Sequence, residues 1–210
     1  MMLPKKIPLF PLSNLILFPR INVPLNIFEE RYIQMIDDAM KSNRLIGIIQ
    51  PKKSGELKRP DLYNVGCAGK IISFSETNDG RYLIVLNGVC RFKIISEIEN
   101  KKLYREFNIN FDHFKNDLIE NPKEINVTDN EFILNKLKSF FEKQGYSINI
   151  EEYNHLKFEE VINNFSMSSP FTLEEKQMLI ETINLFDRKK KLEEILNTYA
   201  VDNIINKTLQ

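Results

Sequence analysis

Sequence motifs that are typical of catalysis or metal binding are mostly absent from this sequence. His113 and His155 are the only histidines, and neither has a second histidine or a cysteine at helical or turn spacing. The chain also lacks an H-E-x-x-H zinc pair, a G-x-S-x-G serine elbow and a G-x-x-x-x-G-K-[ST] phosphate loop. We therefore expect a protein that is not an enzyme and needs no metal or cofactor, with both histidines solvated at the surface.

The two cysteines, Cys67 and Cys90, are the remaining candidates for reactive chemistry. Two are too few for a disulfide scaffold and suit a reducing compartment. If a hairpin turn is centred on residues 78–80, Cys67 faces a position near Phe92 and Cys90 lies about one diagonal step away. That proximity allows a redox switch, although a small buried hydrophobic residue is the commoner role for free cysteine.

Three basic or glycine-rich segments raise the alternative of nucleic-acid binding. The G-x-x-G pattern of Gly66–Gly69 opens a predicted strand instead of joining two helices, which favours close packing over a nucleic-acid loop. The run Arg188–Lys191 lies within a predicted helix beside glutamates, which indicates a solvated face. With 29 basic and 29 acidic residues, the chain has no net field to attract phosphates. The remaining basic patch consists of Lys52, Lys53, Lys58 and Arg59.

The elements that must position any site begin with an apolar stretch interrupted by four prolines, Ile7–Tyr32. A proline inside a helix costs about 3 kcal/mol, so this stretch is not helical. Polar residues also interrupt it, which excludes a signal peptide or a membrane helix and favours a cytoplasmic protein. Because strands tolerate proline mainly at edges, first positions and bulges, we expect short bent strands at a sheet margin. These strands are predicted at Ile7–Leu12, Leu15–Phe18 and Val23–Leu25.

The rest of the first half is predicted to contain antiparallel strands with one helix laid across them. Asn26 and Glu29 are suited to be the N-cap and the capping-box partner of this helix. Its predicted apolar stripe consists of Phe28, Tyr32, Met35, Ile36, Ala39 and Met40. Asp79 and Gly80 supply the positive backbone torsion that a tight hairpin needs. The strands are predicted at Leu45–Gln50, Gly66–Ser75, Tyr82–Ile95 and Tyr104–Phe111.

The second half of the chain has helical periodicity, which starts near residue 116. Capping boxes are predicted at Thr128 with Glu131 and at Thr172 with Glu175. The apolar residues that follow these boxes recur at helical spacing. After the first box, the residues predicted to face inward are Phe132, Ile133, Leu137, Phe140 and Phe141. Helices are predicted from the first box to about Gln144, over Tyr153–Phe165, and from Thr172 to Tyr199.

The change from strand to helix patterns predicts an α+β fold. Hydrophobic residues make up 42% of the chain, which is enough for a sizeable core. We expect a β-rich subdomain over residues 1–115 and a helical bundle over residues 116–210.

Several of these segments resemble the N-terminal substrate-binding domain of Lon proteases. The opening, IPLFPL…LFPR…PLNIFEERY, resembles the start of that domain. The segment VGCAGKI…ETNDGRYLIVLNGVCRFKI resembles its glycine-marked strands and its G-x-x-R-F element, here Gly88, Arg91 and Phe92. PFTLEEKQMLIE resembles the E-K-Q-x-L-L-E helix of the family. The likeness follows the same order over nearly the whole chain.

The resemblance implies a PUA-like pseudo-barrel followed by helices, and it implies recognition of unfolded or tagged polypeptides. The ATPase and serine–lysine protease modules of Lon are not found in these 210 residues, so proteolysis is not implied. The zinc-bearing ligand domain of cereblon-type relatives is also missing, so no metal or small-molecule site is implied. We expect a stand-alone bacterial adaptor or chaperone-like factor. Its expected partners are unfolded or exposed polypeptide segments and a protease or chaperone complex, without a membrane.

The predicted binding surface joins the proline-rich edge to the first helix. An irregular edge strand with exposed apolar residues is a template for adding a strand of another chain. The edge contributes Leu9, Phe10, Leu12 and Phe18, and the polar helix face contributes Glu30, Arg31 and Gln34. The alternatives are that the apolar residues are core, that the protein is a nucleic-acid-binding PUA-like protein, or that it is an obligate subunit of a larger complex.

Overall fold

The computed structural model describes residues 3–13, 15–53, 59–119, 127–153 and 155–208. These residues form two compact units. The first unit lies within residues 1–120 and Phe171–Glu181, and the second lies within residues 121–170 and 182–210. The chain therefore returns to the first unit for one short helix, and the division of the chain at residue 116 stays a prediction.

Strands and helices in the described residues confirm the predicted α+β class. The strands are β1 (Lys6–Pro11), β2 (Asn22–Ile27), β3 (Leu45–Ile49), β4 (Val65–Glu76), β5 (Tyr82–Ile98) and β6 (Arg105–Asn110). The α-helices are α1 (Glu30–Met40), α2 (Val127–Lys143), α3 (Phe158–Ser168), α4 (Leu173–Glu181) and α5 (Leu185–Thr208). Short 3-10 helices cover Asp112–Leu118 and Ile150–Tyr153.

The six strands form one sheet that closes on itself. Its order is β2-β5-β4-β3-β1-β6, and β6 pairs again with β5, so five strands complete a ring and β2 flanks it. Strand β5 can serve three neighbours because it is 17 residues long, with β2 beside its first half and β6 beside its second. Register shifts in β4 and β5 bend the sheet toward closure. The expected barrel-like first half is therefore confirmed.

Strand β1 lies inside this sheet, so the prediction of a margin is wrong at Ile7–Leu12. It pairs antiparallel with β6 over Lys6–Leu9 and parallel with β3 over Leu9–Pro11. The two pairings are staggered, because Pro8 precedes the first pair with β3 and Pro11 follows the last pair with β6. An interior strand can therefore contain proline when the pairing on one side stops short of it.

Strand β2 is the true edge of the sheet. It pairs antiparallel with β5 from Asn22 to Ile27, and the described residues provide no strand on its other side. The prediction of a margin is confirmed here, where Pro24 lies in the middle of the strand.

The segment between β1 and β2 is irregular, so the predicted strand Leu15–Phe18 is wrong. Ile16, Leu17 and Phe18 are nevertheless fully buried. A Cβ at Gly88 would lie 1.9 Å from the carbonyl oxygen of Phe18, so only glycine allows β5 to approach this segment so closely. Burial here is achieved by close backbone approach rather than by strand pairing.

The N-cap of helix α1 lies three residues later than predicted, at Glu29 instead of Asn26. Asn26 is paired with Leu83 in the β2–β5 ladder, so it is not available to cap a helix. Glu29 occupies the N-cap position without a side-chain hydrogen bond, and the predicted capping box is wrong. The apolar stripe is otherwise as expected, except that Phe28 is exposed; the buried residues are Tyr32, Met35, Ile36 and Ala39.

The hairpin between β4 and β5 is the local prediction that the structure confirms most directly. Gly80 has a φ of 77°, and its N–H donates to the carbonyl oxygen of Thr77. Thr77 in turn donates its N–H to the carbonyl oxygen of Arg81, which closes the turn.

The predicted third helix is divided into α4 and α5. The capping box at its start is confirmed, since Thr172 N–H donates to Glu175 Oε2 and Glu175 N–H donates to Thr172 Oγ1. The prediction of one continuous helix is wrong, because Asn184 Oδ1 accepts the N–H of Asp187 and caps a new helix. The other predicted box, at Thr128 and Glu131, lies outside the residues whose side chains are described.

The second unit has its own apolar core. The prediction that Phe132 faces inward is wrong, since its side chain is 54% exposed. The buried residues of the unit include Ile133, Leu137, Phe140 and Phe141 from α2, Phe158, Val161, Ile162 and Phe165 from α3, and Leu192, Ile195 and Leu196 from α5.

Of the helices in the described ranges, none is long and apolar enough to span a membrane.

Candidate functional site

The apolar members of the predicted binding surface lie mostly in the interior. Leu9, Phe10 and Phe18 are buried, and Leu12 is half-buried. The ring of Phe10 packs 4.1 Å from that of Tyr32, centroid to centroid, so it joins β1 to α1. The three buried side chains contact a partner only if the barrel rearranges, and polypeptide binding by this surface stays a prediction.

The polar members of that surface lie on α1, beside a cleft of about 370 Å³ in the first unit. Arg31 lines this cleft together with Leu9, and Gln34 supports its rim by accepting the N–H of Leu103 at 2.9 Å. Glu30 is exposed. The structure therefore brings Leu9 and Arg31 together. The other lining residues are Pro11, Tyr32, Arg59, Pro60, Glu97, Ile98, Glu99, Asn100, Lys102, Leu103, Tyr104 and Arg105.

Ion pairs neutralise one side of the cleft. Arg105 binds Glu97 through two N–H groups at 2.9 and 2.7 Å and donates a third to the carbonyl oxygen of Pro60 at 2.7 Å. Arg59 also donates to Glu97. Hydrogen bonds from Arg105 lower the pKa of Glu97, against an opposing effect of burial, and Arg59 lowers it further. This carboxylate is therefore held ionised between two guanidinium groups.

A second polar network closes the opposite side. Lys102 Nζ donates to Tyr104 Oη at 2.8 Å and to Glu106 Oε1 at 3.1 Å, while Tyr104 Oη donates to Asp38 Oδ2 at 2.7 Å. Burial raises the pKa of Tyr104 to about 12, and the hydrogen bond to Asp38 adds to the rise. Most polar groups of the cleft already form hydrogen bonds or ion pairs inside the domain. Few of them are therefore left to bind a ligand.

A different surface lies on the outer side of β2, β5 and β4. Cross-strand partners share a face, so the register defines its rows, which run Asn26–Leu83–Ser75, Pro24–Val85–Ser73 and Asn22–Asn87–Lys70. The rows on the other face contain the buried Val23, Leu86 and Ile71. Lys70, at one end, is the single charged residue among the nine outward positions.

Exposed apolar side chains stand on and beside these rows. Leu83 is 45% exposed, and Ile72 is 53% exposed at the point where the β4–β5 register shifts. Phe28, which directly follows β2, is 67% exposed. We call the surface of Pro24, Ile72, Leu83, Val85 and Phe28 the outer face. Six of the nine outward row positions are polar, and the exposed apolar side chains among and beside them suit contact with apolar side chains of another chain.

The outer face was not found from the sequence, although a signal was present. The run YLIVLNGV, Tyr82–Val89, has apolar residues in both alternating phases of the strand. Only one phase can face the barrel interior, so the other had to lie outside or beneath a partner.

The two cysteines are both fully buried. Cys67 lies opposite Arg91 and Cys90 lies opposite Ala68, so the two cysteines occupy adjacent pairs of the ladder, whose side chains face opposite sides of the sheet. The predicted diagonal position of Cys90 on the same face as Cys67 is therefore wrong. Burial raises the pKa of the Cys67 thiol well above its usual range and that of Cys90 to about 12. Both remain protonated thiols, which are poor nucleophiles. In the described part of the chain, no group of three His, Cys, Asp or Glu side chains could hold a metal ion.

The basic segments do not form a common surface in the described residues. Lys52 and Lys53 are exposed, Lys58 lies outside the described residues, and Arg59 is paired with Glu97 in the cleft. Within the run Arg188–Lys191 the predicted solvated face is wrong for its first residue, since Arg188 is buried. Both histidines are exposed, as predicted.

The G-x-x-R-F element has a structural role in the first unit. Arg91 is buried and binds Asp117 through Nε at 2.9 Å and Nη2 at 2.8 Å. It also donates to the carbonyl oxygen of Ile180, at the end of α4, at 3.0 Å, and lies over the ring of Phe114. A buried ion pair with this many hydrogen bonds holds α4 and the 3-10 helix against the sheet.

A family model for the substrate-binding domain of ATP-dependent protease La (LON) matches residues 6–198. The chain belongs to this family. The match covers the substrate-binding domain of Lon and does not extend to its other modules.

Lon proteases are similar to this Lon-type domain over most of its length. The enzyme of Syntrophus aciditrophicus (strain SB) is 26% identical over 204 residues, which are 93% of this chain and 25% of the relative. That of Dictyoglomus thermophilum is 25% identical over 203 residues, 90% of this chain and 24% of the relative. The chain therefore spans about a quarter of the length of these curated relatives.

Solved structures show the same fold. The N-terminal domain of the Mycobacterium avium complex Lon protease has a TM-score of 0.63 at 15% identity, covering 94% of this chain and 99% of that one. The Lon N-terminal domain protein of Xanthomonas campestris has a TM-score of 0.61 at 18% identity, covering 91% and 97%. The pseudo-barrel with a helical C-terminal part is thus the fold of the Lon N-terminal domain.

Proposed function

We propose that this Lon-type domain binds unfolded polypeptide segments on its outer face and catalyses no reaction. The observation that carries the proposal is the exposure of Leu83 on a three-stranded surface whose rows contain one charged residue, with the exposed Ile72 and Phe28 beside it. Membership in the substrate-binding family supports it. The proposed setting is a cytoplasmic adaptor or chaperone-like factor that delivers such segments to a protease or chaperone complex.

The chemistry of the outer face suits partners that are defined by exposed apolar residues. Burying a leucine or isoleucine completely contributes about 1.5–3 kcal/mol, so these half-exposed side chains contribute part of that each. A disordered partner loses conformational entropy when it binds. We therefore expect dissociation constants near micromolar, about −8 kcal/mol. Apolar contact does not require a particular sequence in the partner. This tolerance is what a protein needs if it binds many different unfolded chains.

Two isoleucines of the sheet make a matched test. Ile72 is 53% exposed at a register shift on the outer face, and Ile95 is 64% exposed at a register shift away from it. A charge at Ile72 or Leu83 places a carboxylate in the proposed contact, and we expect Ile72→Asp and Leu83→Asp each to weaken binding about tenfold. Ile95→Asp is expected to change affinity by less than about twofold.

Affinity is measured by titrating the domain into a labelled, reduced and unfolded model protein, with fluorescence anisotropy of the label as the readout. Circular dichroism and the thermal midpoint confirm that each variant is folded. Equal affinity of wild type, Ile72→Asp and Leu83→Asp would exclude the outer face as the binding surface. Retention of labelled RNA in the same assay, with a steep decrease at higher salt, would instead support the alternative of nucleic-acid binding.

A further inference from the structure

The backbone N–H and C=O groups of the edge strand β2 point alternately toward β5 and away from it. Gly88 N–H donates to the carbonyl oxygen of Ile21 at 2.9 Å, whereas the carbonyl oxygen of Gly88 accepts from Arg20. The first of these bonds puts Ile21 and Gly88, just outside the β2–β5 ladder, at a hydrogen-bonded position. The register continues without a shift to Ile27 opposite Tyr82. Hydrogen-bonded and non-hydrogen-bonded pairs alternate along an antiparallel ladder. The backbone groups that point away from β5 are therefore those of Asn22, Pro24 and Asn26.

A side-chain contact supports this assignment. Asn87 Nδ2 donates to Asn22 Oδ1 across the two strands at 2.8 Å. Side chains approach more closely at non-hydrogen-bonded pairs, which is the type assigned to Asn22 and Asn87. Pro24, two residues further along, is thus also at a non-hydrogen-bonded pair, and its missing N–H costs the β2–β5 ladder nothing.

The consequence lies on the open side of β2. Its outward edge offers an N–H at Asn22 and at Asn26 but none at Pro24. With a rise of about 3.4 Å per residue, the two donors are about 14 Å apart. A strand added to this edge would leave one of its carbonyl oxygens without a donor at the centre, where the pyrrolidine ring also projects.

We propose that Pro24 determines how a polypeptide is held by this domain. It prevents a bound unfolded segment from adding to β2 as a further strand, so that the segment is held through side-chain contacts on the outer face. An open edge beside an apolar surface is otherwise a template for irreversible pairing. The inference rests on the proposed function, because the segment it concerns is the one bound at the outer face.

The test uses two variants. The first restores the missing N–H donor at position 24, and the second also removes the N–H donor at position 26. Pro24→Val supplies an outward N–H with a β-favouring side chain. The double variant Pro24→Val with Asn26→Pro moves the gap in donors to the next outward position, which is also a non-hydrogen-bonded pair. The β2–β5 ladder keeps all its bonds in both variants, so both are expected to fold. A normal thermal midpoint checks this, and Pro24→Ala replaces Pro24→Val if it is lowered.

Hydrogen–deuterium exchange of residues 22–27 is measured with and without a saturating reduced, unfolded model protein. In the wild type we expect the outward amides to exchange equally fast in both conditions. In Pro24→Val we expect new protection of these amides and dissociation slowed by about tenfold. The double variant is expected to behave as the wild type.

The outcomes separate this inference from the proposed function. If the wild type binds no unfolded protein, the proposed function fails and the inference falls with it. If the wild type and Pro24→Val both bind, with the same exchange and the same dissociation rate, Pro24 does not control strand addition. Protection of the outward amides already present in the wild-type complex would also overturn the inference.

Discussion

Strands β1 and β2 have almost the same sequence pattern but opposite positions in the fold. β1 is K-I-P-L-F-P and β2 is N-V-P-L-N-I, with proline and leucine at the third and fourth positions of each. β1 has neighbours on both sides, whereas β2 has one neighbour among the described residues. A proline-containing apolar strand therefore indicates interrupted pairing and does not indicate exposure.

The difference between the two strands comes from residues far along the chain. The partners of β1 are β3 and β6, and β6 begins at Arg105. Helix α1 covers β1 as well, through the contact of Tyr32 with Phe10. On the β1 side, Leu9 lies beneath the ion-paired cleft, while on the β2 side Lys70 is the single charged residue among the nine outward positions. The first arrangement stabilises the fold, and the second is available for a partner.

The largest expected effect is a difference in stability loss between the leucines at the fourth position of β1 and β2. Leu9 is fully buried in the core with Phe92 and Phe107, whereas Leu25 is half-buried. Leu9→Ala leaves a cavity and is expected to lower the free energy of unfolding by about 3 kcal/mol. Leu25→Ala is expected to lower it by less than about 1.5 kcal/mol. Urea unfolding followed by circular dichroism measures both, and equal losses would contradict the assignment of β1 to the interior.

Much of the fold could be predicted where the cause is local. The hairpin needs only the torsion of Gly80, and the start of α4 needs only Thr172 and Glu175, so short sequence motifs were sufficient. The start of α1 was misplaced because the pairing of Asn26 with β5 outweighs its tendency to cap a helix. The break at Asn184 was missed because apolar spacing continues across it.

The candidate site was harder to predict than the fold. The prediction selected Leu9, Phe10 and Phe18 for their apolar character beside prolines, but exposure depends on which strands and helices cover them. The outer face is built from β2, β5 and β4, and its rows exist only once the register of all three is known. Local sequence does not specify that register, so Leu83 and Ile72 had no reason to be grouped.

A smaller expected effect compares the cleft with the outer face. Arg31 lines the cleft and forms an ion pair with Glu29. Arg31→Glu places a carboxylate near Glu97 and Glu99, and we expect it to change the affinity for unfolded protein by less than about threefold, since the outer face is untouched. The same anisotropy titration measures this change. A loss larger than that of Leu83→Asp would move the binding surface to the cleft, which contains Leu9 and Arg31 from the surface predicted from the sequence.

The smallest expected effect concerns the two prolines themselves. Leu12 N–H donates to the carbonyl oxygen of Ile49, so alternate N–H groups of β1 point to β3, and the missing donor of Pro8 lies on that side. Pro8→Val would supply a donor inside the closed sheet, where it opens no edge. We expect stability to change by no more than about 1 kcal/mol. We also expect exchange of residues 22–27 with unfolded protein bound to match the wild type, unlike that of Pro24→Val. New protection at β2 in Pro8→Val would show that loss of either proline loosens the sheet, and that the position of Pro24 at the edge is not what matters.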